Sequence, residues 1–239
     1  MKPEKVGQIV VLISANTEWR SVLNHWKIND SFIQQSAPGE WFPREVLVQD
    51  HLIPVVFFHG GWGKISAASS TQYVIDRWEP GLLVNLGTCG GFQGLVEQGE
   101  IILVERTLVY DIFEQMGDSQ AAINHYAVEL DLSWVIEPYP DQVRRTLMVS
   151  ADRDLVPEEV MALHDRYGAI AGDWESGAIA YVAKKNKLKL LILRGVSDLV
   201  NSQQGEAYME DGLTLFQQRA ATIMRRLLAS LPGWLAYGF

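Results

Sequence analysis

Two carboxylates, Glu175 and Asp198, stand near opposite ends of the stretch GDWESGAIAYVAKKNKLKLLILRGVSD, which runs from Gly172 to Asp198. From Glu175, the residues Ile179 and Val182 follow at the i+4 and i+7 positions of one helix face, which predicts that the acid lies on a buried face. A carboxylate there must find partners. Asn186 and the lysines around it suit a helix end, and Leu188 to Leu193, apolar apart from Lys189, reads as a parallel strand covered on both sides. Ser197-Asp198 then falls just past that strand, where ligands collect in open α/β sheets. Either acid alone could serve as a first-turn acid or a cap. Together they predict one half of a pocket whose carboxylates can accept hydrogen bonds and carry a proton.

The elements that must position this pair repeat one grammar. Gln8 to Ser14 is an apolar run followed by Asn16-Thr17-Glu18-Trp19, which has the cap-like residues and acid of a helix start, so strand, tight turn and helix are expected. From Glu45 to Phe58, two β-rich arms flank Gln49-Asp50-His51 and predict a hairpin. Gly60-Gly61-Trp62-Gly63-Lys64 follows directly. Glycines after a strand allow positive φ, and Ser66, Ala67, Ala68, Ser69 and Ser70 let the next helix pack closely. Gly81 to Leu86 then reads as a short buried strand, with Gly87-Thr88-Cys89-Gly90-Gly91 as a second such turn. Neither turn is a dinucleotide fingerprint or a Gly-Lys-Ser/Thr phosphate loop. Ile101 to Glu105 and Thr146 to Ser150 are expected strands, and Pro157 to Tyr167 is a helix opened by proline. The stretch from Tyr110 to about Tyr139 has loop or lid character. Gly205 to Leu228, with Met209, Leu213, Phe216 and Ala220, is a helix expected to close the fold. Strands alternating with helices give an α/β class with a mixed central sheet.

With 239 residues and 48% hydrophobic content, the chain can form one sizeable core, so a single domain over 1–239 is expected. The net charge of -9, without a long Lys/Arg cluster, argues against a nucleic-acid or anionic-membrane surface and for a small-molecule partner. The sole cysteine, Cys89, has no internal disulfide partner, the first apolar run reads as a strand rather than a signal peptide, and no run approaches transmembrane length. A cytoplasmic protein is expected. His25, His51, His59, His125 and His164 show no metal-ligand spacing, and no Gly-x-Ser-x-Gly elbow is present.

Six stretches, in order and spacing, carry a resemblance to one family: the opening strand with Glu18, GWGK at 61–64, NLGTCGG at 85–91, VSAD at 149–152, DWESGAIA at 173–180, and RGVSD at 194–198. Together they resemble the purine nucleoside phosphorylase and nucleosidase superfamily, and within it the 5′-methylthioadenosine/S-adenosylhomocysteine nucleosidases. The resemblance implies a three-layer α/β/α fold with a mixed central sheet, and cleavage of a purine N-glycosidic bond. That reaction passes through an oxocarbenium-like sugar, so a site must protonate the leaving base, hold the ribose and deliver a nucleophile. By resemblance, Asp198 is the general acid at purine N7, Glu175 holds the ribose 2′- and 3′-hydroxyls, and Glu18 activates water. Trp174, Asp173, Ser197, Thr88, Gly90 and Ala151 are the further substrate-binding residues it implies.

Phosphorolysis needs a dianion held by cations. Members that do this look to have arginines where this chain has Asn85 and Glu18, so water is the expected nucleophile, with Arg20 and Lys64 the residues able to build a phosphate site instead. Two positions depart from the nucleosidase pattern: Trp174 stands in place of a methionine and Asp154 in place of an aromatic. A substrate other than the adenine thioethers, such as futalosine, and a non-catalytic nucleoside-binding module of the same fold are the alternatives. No metal or organic cofactor is implied, and a homodimer or larger homo-oligomer is, with Trp62 or Trp134 suited to its interface.

Overall fold

A computed structural model describes residues 8–201, 203, 205–206 and 211–238. In chain order they form β1 (Ile9–Ile13), α1 (Asn16–Trp26), β2 (Gln34–Ser36), β3 (Gly39–Val48), β4 (His51–His59), α2 (Lys64–Trp78), β5 (Leu82–Phe92), β6 (Ile101–Val109), α3 (Ser119–Tyr126), β7 (Val128–Glu129), β8 (Val143–Ser150), α4 (Val160–Tyr167), β9 (Ala171–Asp173), α5 (Ser176–Lys185), β10 (Lys189–Val200) and α6 (Gly212–Leu235).

The sheet is mixed. β2, β3, β4 and β1 lead to β5, which then pairs in parallel with β10 along its full length. β10 runs antiparallel to β6, β6 parallel to β8, and β8 parallel to β9, which returns antiparallel to β5 and closes that end of the sheet on itself. Helices cover both faces. α1 and α6 pack together over one side, around Val11, Leu193, Leu227 and the buried Trp234. α2 and α5 pack together over the other, around Val10, Ala67, Ile179 and Ile192. This is the α/β class that the alternation of strands and helices predicts, in the three-layer α/β/α arrangement that the resemblance implies.

One edge of β5 is forked. β1 covers it only from Leu82 to Asn85, and β9 only at Gly90 and Gly91. Between them no strand among the described residues pairs with it on that side, and a backbone N–H left there must find another acceptor.

Several sequence expectations are sharpened. The β3–β4 hairpin turns at Gln49 and Asp50, with φ of 45° and 66°, the left-handed pair that matches strand twist. Gly61 and Gly63 do adopt positive φ, 80° and 85°. Two stretches expected outside strands, the turn at Gly87 to Gly91 and Ser197-Asp198 just past its strand, are instead strand. Residues 87–91 lie inside β5, and Ser197-Asp198 lies inside β10 rather than beyond it. The glycines of β5 answer to crowding: a Cβ on Gly87 would sit 1.9 Å from Arg194 Nη1, and one on Gly91 2.6 Å from Val96 and 2.7 Å from Val196. The expected last helix is also displaced. α6 begins at Gly212 and its core face is Ala220, Met224, Leu227 and Leu231, while Leu213 is exposed and Met209 lies outside the described residues. Most of 110–139 is irregular apart from α3 and β7, and Trp134 packs half-buried against the core with its N–H donating to Asp131 O.

Candidate active site

Burial of Glu175 has a different cause from the one its spacing suggests. The acid precedes α5, whose buried face carries Ser176, Gly177, Ile179, Ala180 and Ala183, and Val182 is only half-buried. Asp173 takes over the helix start: its carboxylate accepts from Ser176 N and Ser176 Oγ, from Ser150 Oγ at 2.6 Å, and from Arg194 Nε at 2.8 Å. Glu175 is thereby released to turn away from the helix. It accepts from the backbone N–H of Gly63 at 3.0 Å and lies 3.7 Å from Arg194 Nη2.

Glu18 sits in the first turn of α1 and reaches back to Ala15 N at 3.1 Å. Its other oxygen fills the fork in the sheet, accepting from Thr88 N at 2.6 Å and Thr88 Oγ1 at 2.8 Å. The carboxylate thus satisfies the β5 amide that neither β1 nor β9 reaches. Asp198 arrives by another irregularity. The β5–β10 register slips between Val196 and Asp198, a bulge that interrupts side-chain alternation and leaves Asp198 opposite Gly90. Ser197 Oγ donates to it at 2.6 Å.

These three acids line one cavity of about 330 Å³ with Thr88, Gly90 and Trp174. Asp173 and Ser197 border it as well, although their polar atoms are committed to Arg194 and Asp198. Ala151 does not reach it; its N–H donates to Asp173 O and it is wholly buried. Asp154 lies on the rim beside Arg153, and Trp62, 58% exposed, meets Trp174 edge-on with ring centres 5.3 Å apart.

Burial dominates the electrostatics. It raises the carboxyl of Glu18 against the opposing pull of Arg194, and it pushes Glu175 up to about 8, again against Arg194 and with help from Asp173 and Glu18. Burial also raises Asp198, with the Ser197 hydrogen bond acting the other way. Three carboxylates, Glu18, Asp173 and Glu175, share one buried guanidinium, so their charges are not fully matched. A retained proton is the cheaper state.

The sequence profile of the Phosphorylase superfamily matches residues 44–231. The chain belongs to that superfamily. Among its relatives in the superfamily, a protein of Buchnera aphidicola named 5′-methylthioadenosine/S-adenosylhomocysteine nucleosidase is 28% identical over 155 residues, 60% of this chain and 67% of that one. The Helicobacter pylori nucleosidase of the same name, crystallised with butyl-thio-DADMe-Immucillin-A, shares the superfamily fold at a TM-score of 0.77 and 14% identity, over 95% of this chain and 99% of that one. A futalosine hydrolase of Helicobacter pylori shares it at 0.74 and 15%, over 95% and 97%.

In this superfamily member, sequence reasoning passed over two groups. Arg194 enters the sequence pattern only as the first residue of RGVSD, yet it is wholly buried, donates from Nη2 to Asn85 Oδ1 at 2.8 Å and from Nε to Ser176 Oγ at 3.2 Å, and among the described residues leaves Nη1 with no hydrogen-bond partner, beside Gly87. An arginine closing the apolar run of Leu190 to Leu193 was the available signal. The Gly63 N–H on Glu175 left none, because a backbone donor is invisible in residue types.

Proposed function

We propose that the protein is a hydrolase of the N-glycosidic bond of purine nucleosides. What carries the reading is that Glu18, Glu175 and Asp198, from α1, the β9–α5 junction and the bulge of β10, line a common cavity. A volume of about 330 Å³ falls within the range that small-molecule sites occupy. Asp198, with its proton affinity raised by burial, suits donation to N7 of the departing base. Glu175, steadied by Gly63, holds the ribose 2′- and 3′-hydroxyls, its two oxygens meeting two hydroxyls. Glu18 takes the proton of the attacking water, with the buried charge of Arg194 opposing the rise that burial gives its carboxyl.

The alternative of phosphorolysis loses its two cations. Lys64 Nζ is held by Asp111 at 2.5 and 2.6 Å, and Arg20 opens into a separate pocket with Trp19, Gln35 and Glu40. The names of the relatives favour 5′-methylthioadenosine or S-adenosylhomocysteine as substrate, with Trp62 and Trp174 bounding the 5′ end. The same reading takes the chain as one domain and as a cytoplasmic homodimer, to which the exposed Ile65 and Phe113 contribute; light scattering reads the mass. Among the described residues, no helix is long and apolar enough to cross a membrane. The decisive assay is release of free purine from 5′-methylthioadenosine in phosphate-free buffer. Release that requires phosphate and yields a sugar 1-phosphate would overturn hydrolysis.

A further inference from the structure

The turn that donates to Glu175 has little to hold it by itself. Gly60, Gly61 and Gly63 supply no side chains, and a Cβ on Gly60 would lie 2.3 Å from Ser70 Oγ, so the turn cannot be stiffened there. Its first residue is anchored to β1 through Gly60 N on Ile13 O at 3.0 Å. Its far end is anchored from outside. α2 starts at Lys64 with Gly63 as a cap that has no side chain, and the orphan Lys64 N–H is accepted by Asp152 Oδ1 at 2.6 Å.

Asp152 is itself tied to the segment after β6, where its N–H donates to Asp111 Oδ2 at 3.0 Å. The ammonium of Lys64 folds back onto both acids, 2.5 Å from Asp111 Oδ1 and 3.8 Å from Asp152 Oδ2. Lys64 and Asp111 are 22% and 17% exposed, so this pair is shielded more than an open surface bridge. Three distant segments meet at one cation. One carries Gly63 and Trp62 to the Glu175 end of the cavity, and another continues through Arg153 and Asp154 to its rim.

We propose that Lys64 is a positioning residue: clasped by Asp111 and Asp152, it holds the 60–63 turn at the height where Gly63 donates to Glu175, and so sets the orientation of the acid that grips the ribose. This rests on the reading of Glu175 as the ribose-holding group. Without the ammonium, Asp111 and Asp152 repel each other beside the start of α2, the turn loses its outer anchor, and the Gly63 N–H opens to solvent.

Two measurements test the clasp, on Lys64→Met and, as a second variant, Asp111→Asn. In hydrogen–deuterium exchange of the free protein, the amide of Gly63 exchanges about tenfold faster in both variants. In kinetics, kcat/KM for a purine riboside falls about tenfold. For the matching 2′-deoxyriboside, which offers Glu175 one hydroxyl fewer, it falls less than about twofold, and Lys64→Arg restores most of the difference. A general loss of packing would lower both substrates alike. Unchanged exchange at Gly63, or an equal fall for both substrates, overturns the proposal. If the wild-type protein releases no base from either nucleoside, the proposed function fails, and the exchange result alone decides the clasp.

Discussion

Replacing Arg194 with methionine removes the buried guanidinium that Glu18, Asp173 and Glu175 share while keeping most of the side-chain volume. Arg194 has no exposed surface and donates to Asp173 and Asn85 at 2.8 Å and to Ser176 at 3.2 Å. Breaking a buried ion pair by removing one partner costs about 3–5 kcal/mol, because the remaining charge is left unmatched. For a chain of this size that is a fall in Tm of about 6–20 °C.

The cost has a sign with pH. Glu18 and Glu175 already bind protons more tightly folded than unfolded, and losing Arg194, which opposes that shift in both, raises them further. The folded state then holds more protons than the unfolded chain, so stability falls as pH rises from the ordinary carboxylate value of 4.5 through the raised folded values, about 8 for Glu175 before the change. Urea denaturation at pH 5, 6.5 and 8 measures it. The variant should lie closest to wild type at pH 5 and furthest at pH 8. A loss under about 1 kcal/mol that is independent of pH would refute the view that this arginine balances three acids.

Asp198→Asn keeps the shape of the bulge and removes the transferable proton; kcat should fall about 10²–10⁴-fold while an inhibitor resembling the substrate still binds, as read by calorimetry. Gly87→Ala places a methyl 1.9 Å from Arg194 Nη1 and 2.9 Å from Glu18 Oε1, and should destabilise by about 1–3 kcal/mol in urea melts with a larger loss of turnover. Trp174→Met removes the edge contact with Trp62, and the kcat/KM of S-adenosylhomocysteine relative to 5′-methylthioadenosine should rise about 10-fold in parallel assays.

Apolar runs and turn residues are enough to locate β1, the β3–β4 hairpin and the glycine turn that leads into α2, and the spacing of Ile179 from Glu175 marks the buried face of α5. Such patterns fail where glycine carries two meanings. Residues 87–91 look like a reversal, but Gly87, Gly90 and Gly91 make room in a straight strand for Arg194, Leu155 and Val196, and only the neighbours reveal it. Ser197-Asp198 reads as lying past its strand for a related reason: a bulge lets polar residues remain within a ladder that pattern rules would end. Acids were easy to nominate as types. Their partners were not, since Thr88 N and Gly63 N are backbone atoms and Arg194 acts through a burial that no spacing announces.

The fork on the edge of β5 gives position 18 two masters. An oxygen there closes a gap in the sheet whether or not any bond is ever cleaved, so natural selection for folding alone would preserve an acceptor at this point in a descendant that had abandoned turnover. Glutamine could inherit that duty; alanine could not. Glu18→Gln should therefore leave a well-folded, silent protein, and Glu18→Ala a frayed one, which makes this single site a means of separating the architecture's needs from the chemistry's.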